Sequence, residues 1–273
     1  MPEIPSPSHL ANSAPRWLVV IFAIGLLPPL LLAAVMLASL ATSGNGNVVN
    51  FLVALATSGG AVAALSVQVS ALAGLLAHRH WAREVALLAE VFWTIGATGF
   101  VVAFIGGGGQ QLGLLAVAAV SLALGFPATR ALLRSWDLGP PPVYENAIHP
   151  HGFVTWASAF AAALVLPFAA FAVWLVGYIQ TLAPTVPVGN WVTISLLMTL
   201  MTLPWFLVHA VAAYGLYHRQ DYGLALAIIG GVLWFFTVVG LPIGAAQLYS
   251  VWRVGHPALA LPSRLATRGA AQA

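Results

Sequence analysis

Long apolar runs with few or no charged residues alternate with polar connections along the chain. Each run is at least as long as the roughly 20 residues that an α-helix needs to cross a hydrocarbon core of about 30 Å. The runs are continuous and do not alternate residue by residue, which favours helices over the strands of a membrane barrel. The predicted spans are Trp17–Ala41, Asn50–Ala77, Glu84–Ile105, Leu112–Leu133, Phe153–Leu182 and Asn190–Tyr217, followed by the stretch Tyr222–Trp252.

The last apolar stretch, Tyr222–Trp252, can cross a membrane once as a long kinked helix or twice as two short ones. Its segment GLPIG offers a break, because Gly240, Pro242 and Gly244 are turn-forming residues. Each arm then has about 15 residues, or roughly 23 Å of helix. We predict two short helices and therefore an all-α membrane protein with eight transmembrane helices; one long helix, with seven spans, is the alternative.

Arginine marks every second connection. The uncharged connections TSGNGNVVN, GGGGQQ and APTVPVGN alternate with HRHWARE, RALLRSWDLGPPPVYENAIHPHG and HRQD, which hold five arginines between them. Arginine-bearing loops stay on the cytoplasmic side of a membrane, so Arg16 places the amino terminus inside. Two crossings by Tyr222–Trp252 place the tail inside as well. The tail contains Arg253, Arg264 and Arg268.

Composition supports the membrane assignment. Only 5% of the residues are charged, 61% are hydrophobic, and the mean hydropathy is +0.96. A soluble domain carries about 25% charged residues, so lipid must cover most of this surface. The absence of cysteine excludes disulfides and thiol chemistry. All nine basic residues are arginine, which together with the Ala, Gly, Pro and Val content is typical of a bacterial protein, here of the inner membrane.

The two halves of the chain are similar. Gly74–Gly99 aligns without gaps on Gly215–Gly240 at an offset of 141. Identical pairs are Gly74/Gly215, Leu75/Leu216, Ala86/Ala227, Val91/Val232, Trp93/Trp234 and Gly99/Gly240. Further on, GFPATRALLRSW resembles GLPIGAAQLYSVW after a gap. An even number of spans in each half would make the two repeats parallel, so the prediction is two parallel four-helix repeats.

These patterns divide the chain into five parts. The ends are predicted to be disordered because they are rich in small residues and proline. The predicted parts are a disordered tail at 1–16, a first four-helix repeat at 17–136, a cytoplasmic proline-rich loop at 137–152, a second four-helix repeat at 153–253 and a disordered cytoplasmic tail at 254–273.

The last apolar segment follows the pattern Pro-Ile-Gly, then Tyr, then Trp. The matching residues are Pro242, Ile243, Gly244, Tyr249 and Trp252. In this the chain resembles small bacterial four-helix membrane proteins that end in a similar segment, although Ala245 stands where those proteins have threonine. The resemblance covers the end of the chain and, more faintly, the corresponding part of the first half. It implies a four-helix membrane unit, here duplicated, and no activity.

Among the polar residues of the predicted spans, Gln68, Glu90 and His209 stand out because they lie well inside their spans. Ionisable residues at this depth are unfavourable and are candidates for function. The offset of 141 places His209 on Gln68, so both halves carry a polar side chain at one depth. We predict either hydrogen bonding between helices or a shared polar path in which Gln68 and His209 face each other and Glu90 approaches them.

Five histidines fall at the predicted cytoplasmic face. They are His78, His80, His149, His151 and His218. Imidazole is a common metal ligand, so a divalent-metal site is one hypothesis. The alternative is that these rings lie half-buried at the membrane interface. The sequence around them is not rich in the acidic residues that orient metal-ligating histidines by hydrogen bonds. No cofactor is predicted.

The motifs of common enzymes are missing from the sequence. There is no Ser-His-Asp set, His-Glu-x-x-His motif or carboxylate pair, so no enzyme activity is predicted. The first hypothesis is a packing, assembly or accessory subunit of the membrane. The alternatives are a transporter of protons or small solutes that uses Gln68, Glu90 and His209, and a protein that handles metal or haem. The predicted partners are the lipid bilayer and membrane proteins or further copies of the chain, and not nucleic acid.

Overall fold

The computed structural model describes residues 16–42, 48–77, 79, 81–106, 108–109, 112–134, 152–182, 188–236 and 240–259. Within these ranges the chain forms ten α-helices and one 3-10 turn, and no strand. The helices are α1 Arg16–Ile24, α2 Leu27–Thr42, α3 Val48–Leu76, α4 Ala82–Gly106, α5 Leu112–Arg134, α6 Phe153–Ala163, α7 Val165–Leu182, α8 Val188–Tyr217, α9 Asp221–Leu233 and α10 Gly240–Leu259. The 3-10 turn, Trp234–Phe236, follows α9.

Six stretches of the described chain are long and apolar enough to cross a membrane. They are Arg16–Val35, Ser58–Leu76, Ala82–Gly106, Leu112–Leu133, Phe153–Leu175 and Val192–Tyr217. The prediction of an all-helical chain with several potential spans is therefore confirmed.

Two of the predicted spans contain a break. Gly25 and Leu26 separate α1 from α2, and Leu164 separates α6 from α7. Pro28 and Pro167 follow in the first turn of the next helix, where a residue without an N–H group is tolerated. The first break lies just before the tandem prolines Pro28 and Pro29. If each broken pair is counted as one element, the described chain has eight helices.

The stretch Tyr222–Trp252 forms two helices, α9 and α10. They pack antiparallel, because positions later in α9 contact positions earlier in α10. Leu224 and Val251 share one buried cluster, the Ala227 carbonyl accepts a hydrogen bond from Gln247 at 2.9 Å, and Gly231 lies against Gly244. The chain therefore turns back here, as predicted. Helix α10 continues to Leu259, past the predicted end of the second half at residue 253.

Helices α3 and α8 lie at the centre of the bundle. Helix α3 packs on α2, α4 and α8, and α8 packs on α6, α9 and α4 as well. Their contact surfaces consist largely of small residues, which let helix backbones approach closely. The fully buried side chains include Ala63, Val67, Ala71, Val208 and Ala212.

The turns after α3 and α8 have the same backbone hydrogen bonds at the offset of 141. The Arg79 N–H donates to the Gly74 carbonyl at 2.9 Å, and the Gln220 N–H donates to the Gly215 carbonyl at 2.7 Å. The Ala82 N–H donates to Arg79, as the Gly223 N–H does to Gln220. Helix α3 ends at Leu76 and α8 ends at Tyr217, which are also 141 residues apart. The local similarity read from the sequence therefore extends to the backbone.

The exterior of the bundle is apolar. Leu166, Val173 and Phe126 are each more than 70% exposed. Exposing apolar side chains of this size to water would be unfavourable. Such a surface suits contact with lipid chains. The predicted disordered tails fall outside the described residues, except for Arg16 and 254–259, which are helical. Of the proline-rich loop at 137–152, only Gly152 is described.

Candidate functional site

Two groups of polar side chains, most of them buried, lie inside the bundle. We call the first the first-half cluster: Gln68, Glu90 and Thr129 around Trp93. The second-half cluster consists of Ser158, His209 and Gln247 around Trp234. The sequence singled out Gln68, Glu90 and His209, and the structure distributes them between the two clusters.

The first-half cluster is packed around the indole of Trp93. Gln68 is 1% exposed, and its amide nitrogen donates to the Phe22 carbonyl of α1 at 3.1 Å. The Trp93 ring and the Gln68 amide both lie against Gly25 at the break after α1. Gln68 therefore holds the broken first helix against α3.

Glu90 occupies the other side of the Trp93 ring. Its carboxylate lies against Gly125 of α5, as does the ring of Trp93. The Thr129 side chain forms a hydrogen bond with Glu90. Glu90 thus links α4 to α5 through the Thr129 hydroxyl group. Its side chain is 5% exposed and is therefore buried inside the bundle.

The second-half cluster is built on α8. His209 is fully buried, and its ring lies 4.6 Å from the ring of Trp205 and 5.7 Å from that of Trp234, measured between ring centroids. In the part of the chain that the structure describes, neither nitrogen of the imidazole has a hydrogen-bond partner. Unpaired polar atoms are rare in folded interiors, so this side chain requires an explanation.

Gln247 and Ser158 complete the second-half cluster. The Gln247 amide nitrogen donates to the Ala227 carbonyl at 2.9 Å and to the Ser158 hydroxyl at 3.4 Å. The amide oxygen of Gln247 has no partner among the described residues. Both side chains are fully buried. The Gln247 side chain therefore joins α6, α9 and α10, and its carbonyl oxygen is left free to accept a hydrogen bond.

Gly230 brings His209 and Gln247 together. A side chain on Gly230 would have its first carbon 2.8 Å from Cε1 and 2.9 Å from Nδ1 of His209, and 3.4 Å from the amide nitrogen of Gln247. The two polar groups thus lie over the same point of the α9 backbone. They are at most about 6.3 Å apart, the sum of the two longer distances.

The shared path of Gln68, Glu90 and His209 stays a prediction. Gln68 and Glu90 meet through Trp93, whereas the described contacts of His209 are made with Trp205, Trp234 and Gly230. Because neither imidazole nitrogen is hydrogen-bonded within the described residues, no direct bond joins His209 to Gln68. Each half holds its own cluster beside the tryptophan of the matched pair Trp93 and Trp234.

Sequence reasoning missed Gln247 and Ser158 as site residues. Serine inside an apolar helix is common, because its hydroxyl can bond to its own backbone, so Ser158 carries no signal. Gln247 does carry one, since it is the only amide side chain in α10. Its position three residues after Gly244 conceals that signal, because a polar residue close to a turn-forming segment is ordinary.

Of the five histidines proposed as metal ligands, His78, His80, His149 and His151 lie outside the described residues. His218 is exposed at the end of α8, with its ring 4.4 Å from that of Tyr214 and 5.2 Å from that of Tyr217. Among the residues that the structure describes, no group of three or more metal-ligating side chains comes together. The metal hypothesis therefore stays a prediction.

Comparison with known proteins adds no assignment. No protein-family model matches the chain, and neither a curated protein nor a solved structure does. The resemblance of the last segment to small bacterial four-helix membrane proteins accordingly stays a prediction.

Proposed function

We propose that the chain is a multi-pass membrane protein that carries a small polar species, a proton or a small solute, past His209 in the interior of its second half. One observation carries this proposal: His209 is fully buried while both of its ring nitrogens lack partners within the described chain. In a hydrocarbon interior no solvent satisfies such groups, and each costs several kcal/mol. A site that binds a passing species explains why this arrangement persists.

The proposed setting is the bacterial inner membrane, with two parallel four-helix repeats and both termini in the cytoplasm. The alternation of arginine-bearing loops supports this topology. The antiparallel packing of α9 and α10 supports an even number of crossings, and the backbone bonds related by 141 residues support the repeat.

Flux measurements test the transport function. The full chain is reconstituted into lipid vesicles, and uptake of protons and of small solutes is compared with that of empty vesicles. His209→Leu should abolish the protein-dependent flux, because leucine fills a similar volume without polar atoms. Thr199→Val on the same helix is the matched control, since the Thr199 hydroxyl donates to the Ser195 carbonyl of its own helix at 2.8 Å.

The result also decides between transport and the assembly hypothesis. If the wild-type chain moves nothing above empty vesicles but is isolated with a stoichiometric membrane partner, then an accessory or assembly role replaces the transport proposal. If His209→Leu transports as fast as wild type, His209 is a packing residue and the proposed path is wrong.

A further inference from the structure

We infer that the second-half cluster binds a small uncharged molecule that both donates and accepts hydrogen bonds, with Ser158, His209, Gly230 and Gln247 as the binding residues. Water, ammonia and urea are members of this class. The inference rests on the proposed transport function and specifies its substrate. It follows from the open hydrogen-bonding groups, the distribution of charge and the space available.

The open groups define the chemistry of the ligand. A neutral imidazole has one N–H donor and one nitrogen acceptor, and both are unpartnered in the described chain. Gln247 adds an open carbonyl acceptor, because its amide N–H groups are engaged with Ala227 and Ser158. A molecule that satisfies the cluster must therefore accept one hydrogen bond and donate to two acceptors.

The helices that supply the cluster have no charged residue within one turn of its members. Helices α6, α7 and α8 contain no Asp, Glu, Lys or Arg. In α9 the only charged residue is Asp221, more than two turns before Gly230, and in α10 it is Arg253, more than one turn after Gln247. Burying an ion without a partner is strongly unfavourable, so an uncharged ligand suits the cluster.

The space beside His209 limits the size of the ligand. Trp205 and Trp234 cover the ring, and its Nδ1 edge lies so close to Gly230 that one added methyl carbon would approach within 2.9 Å. A ligand in contact with this edge can therefore have only a few heavy atoms. Glycine at position 230 is therefore a specificity determinant.

The equivalent place in the first half is occupied by protein. Gln68, the counterpart of His209, donates to the Phe22 carbonyl, and the Trp93 ring lies beside it against Gly25. The amide nitrogen of Gln68 is thus engaged with α1. This assigns the ligand to the second half alone.

Stopped-flow measurements on vesicles containing the full chain test the inference. Water flux is followed by light scattering under a sucrose gradient, urea uptake under a urea gradient, and ammonia uptake with an internal pH dye. We expect at least one of these to exceed the rate of empty vesicles. Gly230→Ala and Gln247→Leu should each lower that rate about tenfold, as the loss of roughly 1.4 kcal/mol in the barrier region would do.

Two matched variants serve as controls. Gly177→Ala adds the same methyl group on α7, where nothing lies within 4 Å of the new carbon. Ser250→Ala removes a hydroxyl from α10 that bonds to its own helix at 2.8 Å. Both should transport as wild type does. If Gln247→Leu does not fold, Gly230→Ala and Ser158→Ala supply the test.

The outcomes separate the inference from the proposed function. Flux of protons or salt ions that depends on His209, without flux of an uncharged solute, overturns the inference and leaves the transport function standing. Uncharged flux that is equal in wild type, Gly230→Ala and Gln247→Leu also overturns it. A wild-type chain that moves none of these species removes the proposed function, and the inference falls with it.

Discussion

At the scale of single residues, Asp221 combines burial with a negative charge at the start of a helix. It is 1% exposed, and its Oδ1 accepts a hydrogen bond from the Tyr222 N–H at 2.9 Å, while Oδ2 has no partner among described groups. It lies in the turn HRQD, before the apolar stretch. Burial, reinforced by the nearby Glu84 carboxylate, raises the pKa of Asp221 from 3.8 to about 6.

Asp221→Asn should therefore stabilise the protein at neutral pH. The folded state holds the Asp221 proton more tightly than the unfolded chain does, so wild-type stability falls as pH rises from about 4 to 6 and stays lower above that range. Asparagine remains neutral and keeps the acceptor for Tyr222. We expect a gain on the order of 2 kcal/mol at pH 7.5, measured by thermal unfolding in detergent.

The pH dependence is the control for this prediction. The advantage of Asp221→Asn should disappear well below pH 3.8, where the wild-type carboxyl group is protonated in both states. A difference between the two proteins that is constant from pH 4 to pH 8 would show that charge is not its origin.

The burial of single polar residues could be predicted from the sequence where they interrupt an apolar helix. Gln68, Glu90 and His209 are all buried, as expected of polar groups at that depth. Their surroundings were not predictable, because they depend on which helix faces which. Gln68 bonds to a carbonyl in α1, 46 residues earlier in the chain, and His209 and Gln247 both lie over Gly230 of α9.

At the scale of helices, α9 and α10 decide on which side the tail lies. Helix α9 has 13 residues, about 20 Å of helix, which is shorter than the roughly 30 Å of a hydrocarbon core. The chain turns back after it, so in the proposed membrane topology the pair either crosses twice or enters from one side and returns. In both cases the tail ends on the side where α9 began.

Cysteine labelling tests this consequence. Because the chain has no cysteine, single substitutions at Pro2, Ala77 and Ala273 can be labelled without background. All three should react only after the membrane is permeabilised. Asn45→Cys, in the uncharged connection TSGNGNVVN, should react with an impermeant reagent from outside. Reaction of Ala273→Cys from outside would mean that the stretch crosses once, and the eight-span proposal would be wrong.

Helix boundaries show where the pattern of apolar residues in a single sequence is enough to predict the structure. The predicted spans Glu84–Ile105 and Leu112–Leu133 lie inside α4 and α5 with differences of one or two residues. The break in Phe153–Leu182 was not predicted, although Pro167 was visible, because a proline in a first turn and a proline inside a helix look alike in sequence. Pro204 in fact stays inside α8.

At the scale of the whole molecule, the contact between α3 and α8 relates the two halves. Gly60 of α3 packs against the Met201 carbonyl of α8, and these positions are equivalent at the offset of 141. If the two halves are repeats related by an axis, as proposed, equivalent points touch each other only close to that axis. The offset of 141 could be read from the sequence. The position of this contact could not, because a glycine in a helical sequence does not show which neighbouring helix it faces.

The contact at Gly60 leads to the last prediction. Gly60→Leu should separate α3 from α8, since its side chain would collide with the backbone at Met201 and Thr202. Overpacking of this kind costs about 1–3 kcal/mol, and a collision with backbone should fall at the upper end. Gly96→Leu on α4 is the matched control, because nothing lies within 4 Å of its added carbon. Thermal unfolding in detergent should show a large loss for Gly60→Leu and little change for Gly96→Leu, whereas equal losses would mean that the halves are not joined at this point.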